Sequence, residues 1–357
     1  MFDSGNIPKS MTTSVVVPVP KKGDMKDPNN YRRISLIPTF IKLLAKIVAT
    51  KLAAIDKKYN ILVKEQAGLR NFEECAAQAT TLYEIAKRRK IKNLQTWICY
   101  IDYSKAYDRV PHMALIYKLR SIGIGGNLLN LIVGMYHDPK ITVRIGDKLL
   151  GPSEYLCGVR QGCPASPILF DFFINVIFKG VLGVEVPGLP NRIPGLLFAE
   201  DAFVLADSAE NLQTSLDAIT VWSDTWEMAV NASKCAIMGV NCDDPAEPTR
   251  QRLTIRKNDQ YTYLGYQMIP KYSVADTIKH IKIMATYAAY YFYKPLWHNH
   301  RTQNSVLLLC PATNWIVIDM ATRMVAEVGK NAATERILEE MGISLVFLRT
   351  STAREHA

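Results

Sequence analysis

Two adjacent acidic residues carry the functional groups that phosphate chemistry needs. Glu200 and Asp201 lie between two short apolar runs, residues 196–199 and 202–206. Apolar runs of this length, bounded by turn residues, predict buried strands, which places the acidic pair at the bend between two strands. Adjacent like charges repel each other, and a bound cation relieves the repulsion. An ordinary acidic turn in water is the alternative interpretation.

A third acidic residue, Asp102, follows another apolar run, Thr96–Ile101. An acidic residue at the end of one buried strand and an acidic turn between two others can meet at one edge of a sheet. Converging carboxylates form a hard oxygen site that suits Mg²⁺ together with substrate phosphates. Two such ions are a standard device for nucleotidyl transfer. Asp102, Glu200 and Asp201 are therefore the candidate metal ligands, for two Mg²⁺ or alternatively Mn²⁺.

Three sequence blocks resemble those of reverse transcriptases. Residues 102–108 read Asp-Tyr-Ser-Lys-Ala-Tyr-Asp, which is similar to the block Asp-x-x-x-Ala-Phe/Tyr-Asp. Residues 198–201 resemble the Phe/Tyr-x-Asp-Asp turn, with Glu200 at the first Asp. Between them, residues 158–167 resemble the Gln-Gly-x-Pro-x-Ser-Pro block. Their order and spacing are similar to those of the non-LTR (LINE-type) retrotransposon branch, and the group II intron maturases are an alternative.

The resemblance implies an RNA-directed DNA polymerase that extends a primer 3′-hydroxyl with dNTPs. Implied partners are an RNA template, a DNA primer or target site, and dNTPs; the sequence identifies no protein partner. Residues 231–235 resemble the family's Asn-x-x-Lys-Thr/Ser block, which makes Lys234 the candidate general acid for the departing pyrophosphate. Glu200, and Arg33 where the family usually has Pro, favour an alternative: a nucleic-acid-binding remnant without catalysis.

Five further residues are candidate dNTP ligands by the same resemblance. Lys21 and Arg32 lie in a stretch similar to the fingers block Pro-Lys-Lys-Gly-Asp…Asn-Tyr-Arg, and they would bind the triphosphate. Tyr107 would lie beneath the nucleotide sugar, where it excludes a 2′-hydroxyl. Gln161 and Gly162 would lie near the nucleotide and the primer end. Without the motifs, the two cations would be interpreted as solvated surface residues and Tyr107 as a core residue.

The elements that position these residues have the patterns of an α+β fold. Apolar runs predict strands at Ser14–Pro20 and Thr96–Ile101, and residues 141–149 predict a hairpin that turns at Gly146-Asp147. Apolar residues at helical spacing predict helices over residues 40–52, 75–89 and 113–121. A further helix is expected from Pro164 to about residue 179, and Ser208 is expected to cap the next one.

The resemblance implies a right-hand polymerase fold. Residues 1–95 would form the fingers, which start shortly before their first block. Residues 96–268 would form the palm, an antiparallel sheet backed by helices, with room for a fingers insert around residues 110–150. Residues 269–357 would form a helical thumb and an unassigned tail. No endonuclease domain or Cys/His knuckle is visible, so the chain is expected to be the polymerase portion of a longer protein.

Composition narrows the class of protein further. Lys and Arg outnumber Asp and Glu by 43 to 33, and the net charge of +10 favours a polyanionic partner. The seven Cys form no Cys-x-x-Cys pair, which predicts free thiols in a reducing compartment. No apolar run reaches about eighteen residues, so a soluble intracellular protein is expected rather than a membrane protein. The family resemblance implies the nucleus, with the cytoplasm as the alternative.

Overall fold

The computed structural model describes residues 5–21, 24–68, 75–242, 249–250, 253–258, 260–264 and 266–268. The chain forms two compact units, Met1–Gln260 and Tyr261–Ala357. In the second unit the described part is a short hairpin. The predicted thumb and tail, residues 269–357, lie outside the described residues. Within the described ranges no helix combines the length and apolar character needed to cross a membrane.

The secondary structure follows the predicted order of strands and helices. The helices are α1 (Lys9–Thr12), α2 (Thr39–Tyr59), α3 (Cys75–Ile91), α4 (Ala106–Arg109), α5 (His112–Ser121), α6 (Gly126–Met135), α7 (Ser166–Ile174) and α8 (Ala209–Thr225). The strands of the first unit are β1 (Ser14–Pro20), β2 (Tyr31–Leu36), β3 (Thr96–Ile101), β4 (Lys140–Ile145), β5 (Lys148–Leu149), β6 (Ser153–Glu154), β7 (Gly195–Phe198), β8 (Asp201–Ala206), β9 (Ala236–Val240), β10 (Thr249–Arg250) and β11 (Leu253–Thr254). The hairpin of the second unit consists of β12 (Tyr261–Tyr263) and β13 (Tyr266–Met268).

A four-stranded antiparallel sheet, in the order β7-β8-β3-β9, carries the acidic residues. All six residues of β3 are buried, which is why its sequence is a continuous apolar run rather than an alternating one. Ile101 pairs with Ala202, and Phe198 pairs with Asp201. This register brings the end of β3 to the same edge of the sheet as the β7–β8 turn. Helix α8 packs on β8 and β3, and Ser208 caps it by accepting a hydrogen bond from the backbone N–H of Asn211, as predicted.

A second sheet, in the order β2-β1-β4-β5 with β6 also paired to β4, carries the basic residues. The β4–β5 hairpin turns at residues 146–147 as predicted. The parallel pairing of β1 with β4 uses only the first three residues of β1. Pro18 and Pro20 lie beyond that pairing, where β1 has β2 as its neighbour, because a proline cannot donate to a central ladder.

Helix α7 ends at Ile174, earlier than the predicted end near residue 179, and a buried lysine lies at its C-terminus. Lys118 of α5 is 6% exposed, and its Nζ donates a 2.6 Å hydrogen bond to the carbonyl oxygen of Phe173. The same nitrogen lies 4.2 to 4.6 Å from the ring centroids of Phe173, Trp222 and Trp226. Lys118 therefore joins α5, α7 and the end of α8. Burial lowers the pKa of Lys118 to about 7.

The free energy of unfolding should depend on pH because Lys118 is buried. Between pH of about 7 and 10.5 the unfolded chain holds a proton that the folded chain releases. The free energy of unfolding therefore rises with pH across this window, by about 1.4 kcal/mol per pH unit for one group. We expect urea unfolding of the wild type to show this rise between about pH 7.5 and 9, and Lys118→Met to lack it. Equal pH slopes in the two proteins would contradict the assignment.

Candidate active site

One cleft of about 820 Å³ in the first unit collects every site residue that the sequence predicted. The nine predicted residues are all part of its wall: Lys21, Arg32, Asp102, Tyr107, Gln161, Gly162, Glu200, Asp201 and Lys234. They come from six separate stretches of the chain and from both sheets. Their convergence is therefore a property of the tertiary fold.

Asp102 directly follows β3 and is fixed by the segment that carries Lys234. The carbonyl oxygen of Asp102 accepts a hydrogen bond of 2.9 Å from the backbone N–H of Asn231, and its own N–H points to the Sγ of Cys235 at 3.5 Å. Lys234 Nζ lies 3.7 Å from Asp102 Oδ2. Residues 231–235 therefore wrap the end of β3 and place an ammonium group beside the carboxylate.

Glu200 lies in the turn between β7 and β8, Asp201 is the first residue of β8, and both are close enough to Asp102 to feel its charge. Burial, together with the nearby charges of Glu200 and Asp102, raises the pKa of Asp201 to about 6. Burial also raises the pKa of Glu200, again with a contribution from Asp102. Glu200 and Asp201 therefore lie where burial and neighbouring negative charge disfavour the ionised form, and Lys234 offsets this only in part.

The chemistry of this donor set fits a hard divalent cation. Carboxylate oxygens are the ligands that Mg²⁺ prefers, and a cation that binds between neighbouring carboxylates relieves their repulsion. Among the described residues, no group of three or more His, Cys, Asp or Glu side chains is arranged so that it could hold a metal ion. The cleft therefore carries carboxylate donors of the right chemistry but not a preformed metal site.

Tyr107 lies on α4 and lines the cleft. Its ring stacks on Phe170 of α7, with centroids 4.4 Å apart and an interplanar angle of 9°. Burial, followed by the charge of Glu200, raises the pKa of the Tyr107 phenol, so the side chain stays neutral. The ring is half-buried, since one face packs on α7 while the side chain also lines the cleft.

The side of the cleft next to the second sheet carries the basic residues. The Gln161-Gly162 turn lies against this sheet and lines the cleft as well. Arg32 lies on β2, and the backbone N–H of Ser35 in the same strand donates to the carbonyl oxygen of Gln161 at 2.8 Å. Gly162 has a φ of +107°, a region that residues with a side chain avoid, so the block needs Gly there. Lys21 borders the same opening at the end of β1.

The sequence interpretation did not single out Asp108, Lys105 or Arg160, although all three line the cleft. Arg33 Nε lies 4.0 Å from Asp108 Oδ2, so the residue that replaces the family's Pro contacts the last residue of the first catalytic block. Arg160 is 2% exposed, and its guanidinium donates to the carbonyl oxygens of Thr12 and Met135 at 3.1 and 3.3 Å. Asp108 could have been found from its place in the block, whereas the acceptors of Arg160 are backbone atoms without a sequence signature.

A family model described as reverse transcriptase (RNA-dependent DNA polymerase) matches residues 19–268, well over half of the chain. The chain belongs to the reverse transcriptase family. It is 27% identical to the Pol polyprotein of the type-1 retrotransposable element R2 from Popillia japonica, over 66% of this chain and 33% of that protein. It is 26% identical to the RNA-directed DNA polymerase of mobile element jockey from Drosophila funebris, over 65% of this chain and 26% of that protein.

These relatives confirm the non-LTR retrotransposon branch and favour it over the group II intron maturases. The reverse transcriptase also resembles apo telomerase from Candida tropicalis, with a TM-score of 0.54 and 14% identity over 94% of this chain and 59% of that one. At this identity the likeness concerns the fold, and it confirms the predicted polymerase architecture. The family polymerises nucleic acid with divalent metal ions. The chain spans about a third or less of the length of the two curated relatives.

Proposed function

We propose that this reverse transcriptase is an RNA-directed DNA polymerase that extends a primer 3′-hydroxyl with dNTPs on an RNA template. The observation that carries the proposal is the single cleft shared by three carboxylates, two cations of the second sheet and Tyr107. Extension of a primed RNA template, with dNTPs and Mg²⁺ or Mn²⁺, is the direct test. Template binding without extension in either metal would contradict it.

The roles of the residues follow from their chemistry and from the family resemblance. Asp102, Glu200 and Asp201 would hold two Mg²⁺, which when bound lower the barrier by stabilising the attacking and leaving oxygens. Lys21 and Arg32 would bind the triphosphate by charge-assisted hydrogen bonds. These contacts would hold the nucleotide in the orientation that the primer needs.

The bonds that form and break in nucleotidyl transfer show where Lys234 would supply a proton. The primer 3′-oxygen forms a bond to the α-phosphorus of the dNTP, while the bond from that phosphorus to the bridging oxygen of the pyrophosphate breaks. The hydroxyl proton leaves to solvent. We assign Lys234 as the general acid whose Nζ supplies a proton to the pyrophosphate. Its place beside Asp102 supports this role.

The limits of the subdomains belong to the same proposal. We assign residues 1–95 to the fingers, 96–268 to the palm and 269–357 to the thumb and tail. The pairing of β1 with β4 supports counting the β4–β5 hairpin with the fingers. This hairpin falls in the insert expected around residues 110–150.

The localisation is also part of the proposal. A target site in chromosomal DNA, as the family resemblance implies, favours the nucleus.

A second candidate is a nucleic-acid-binding protein that retains the fold without catalysis. One specific observation favours it: Glu200 replaces the Asp of the family turn at a position next to the other two carboxylates. The surplus of basic residues would support binding in either case. Extension assays separate the two functions, because a remnant binds template but does not incorporate nucleotides.

We expect Tyr107→Val to relax discrimination against ribonucleotides. The proposed role of the ring is to fill the space that a 2′-hydroxyl would need, and Val leaves that space open. The ratio of ribonucleotide to deoxyribonucleotide incorporation efficiency should rise on the order of tenfold, which is about 1.4 kcal/mol. Tyr117→Val is the matched control, since Tyr117 is an exposed tyrosine of α5 that does not line the cleft. An unchanged ratio in Tyr107→Val would make the ring a core residue.

A further inference from the structure

Gln66 is a fully buried side chain whose amide group contacts the acidic turn. Its Oε1 accepts hydrogen bonds from the backbone N–H groups of Gly68 and Ala199, at 2.8 and 3.1 Å. Its Nε2 donates to the carbonyl oxygen of Ala199 at 3.5 Å. The exposure of Gln66 is 0%. A single side chain therefore engages both backbone polar groups of the residue that precedes Glu200.

Ala199 has an uncommon backbone conformation that requires support. Its φ is +54°, in the left-handed region that residues with a Cβ disfavour. The direction in which Glu200 and Asp201 leave the strand depends on this conformation, because Ala199 is the corner between β7 and β8. Hydrogen bonds to its N–H and its C=O hold the peptide planes on both sides of the corner.

The segment around Gln66 fits closely against the outer edge of β7. The backbone N–H of Ala67 donates to the carbonyl oxygen of Leu197 at 2.9 Å. The backbone N–H of Leu197 donates in turn to the carbonyl oxygen of Glu65 at 2.9 Å. At Gly68 a Cβ atom would overlap the backbone of Ala199, so only Gly allows this approach. The backbone contacts therefore fix the position of Gln66 relative to the turn.

We infer that Gln66 is a positioning residue that sets the acidic turn for metal binding. The inference rests on the proposed function and deepens it. It attributes the orientation of Glu200 and Asp201 to a side chain that lies outside the four strands of the sheet. Gln66 acts through Ala199 and touches neither substrate nor metal. Its amide matches the task because it accepts from one backbone group of Ala199 and donates to the other.

The test replaces Gln66 by Met, which keeps the volume and removes both hydrogen-bonding functions. We expect the Kd for Mn²⁺, measured from the signal of free Mn²⁺ by electron paramagnetic resonance, to rise about tenfold, or about 1.4 kcal/mol. Weaker Mn²⁺ binding in Asp201→Asn would show that the measured Mn²⁺ site is the one in the cleft. Gln78→Met is the matched control, because Gln78 is also buried and its Nε2 donates to the carbonyl oxygens of Glu65, beside Gln66, and of Leu197, on β7. Its Mn²⁺ affinity should stay within about twofold of wild type.

A second substitution separates positioning from general damage to the fold. Glycine adopts a positive φ without strain, so Ala199→Gly should restore most of the Mn²⁺ affinity lost in Gln66→Met. Equal losses in the Gln66 and Gln78 variants, no recovery with Ala199→Gly, or no Mn²⁺ binding by the wild type would each overturn the inference. The measurement uses neither primer nor dNTP. Failure of primer extension would therefore count against the proposed polymerase and not against Gln66.

Discussion

Asp102→Ala should abolish primer extension while template binding stays within about twofold of wild type. Asp102 is assigned to the metal, whereas template affinity rests mainly on basic residues that contact phosphates. Removal of one of three carboxylates should slow incorporation on the order of 10³-fold or more, which corresponds to about 4 kcal/mol of barrier. Single-turnover extension measures the rate, and a filter-binding titration measures the affinity.

The matched control for Asp102 is Asp217→Ala. Asp217 lies on α8 outside the cleft, and its carboxylate accepts a hydrogen bond from the side chain of Gln213 at 2.7 Å. The control should extend primers at the wild-type rate. Normal extension by Asp102→Ala would remove Asp102 from the catalytic assignment, and a loss of template binding would give it a structural role instead.

Glu200→Asp should increase polymerase activity. Glu and Asp carry the same charge, so the substitution leaves the electrostatics of the cleft nearly unchanged. The additional methylene of Glu moves the carboxylate outward by about one carbon–carbon bond, and Mg²⁺ tolerates little departure from octahedral geometry. A displacement of about 1 Å in a catalytic group can cost on the order of 10²-fold in rate, or about 2.7 kcal/mol. Wild-type extension should therefore be weak in Mg²⁺ and stronger in Mn²⁺, and the variant should recover it.

One control variant and two contrary outcomes define the test of the Glu200 prediction. Glu185→Asp is the matched control, because Glu185 lies outside the cleft beside Arg192 and its shortening should leave extension unchanged. Strong wild-type extension that falls in Glu200→Asp would mean that the site has adapted to the longer side chain. No extension by either protein would favour the nucleic-acid-binding remnant.

Much of the site could be predicted from the sequence because the relevant signals are local. The strand before Asp102 and the two strands around Glu200 are apolar runs bounded by turn residues, and β3, β7 and β8 occur there. The sequence blocks also name the residue types on the cleft. All nine predicted site residues line one cleft. Their individual roles remain predictions.

Other features had no local signal. The parallel pairing of β1 with β4 joins segments that are more than a hundred residues apart, and neither segment specifies the other in its own pattern. Helix α7 ends at Ile174, and near this end the carbonyl oxygen of Phe173 accepts a hydrogen bond from Lys118 of another helix, a contact that the local pattern does not show. A continuous apolar pattern alone therefore predicted a longer helix.

The sequence by itself determined the α+β class, the strands that carry the acidic residues, and the family to which the chain belongs. The tertiary structure decided which polar residues are buried and which groups they contact, as for Gln66, Lys118 and Arg160. In a sequence each of them is indistinguishable from a solvated polar residue. Their partners are backbone carbonyl and N–H groups, which every residue carries, so only the folded chain determines which of these groups each side chain meets.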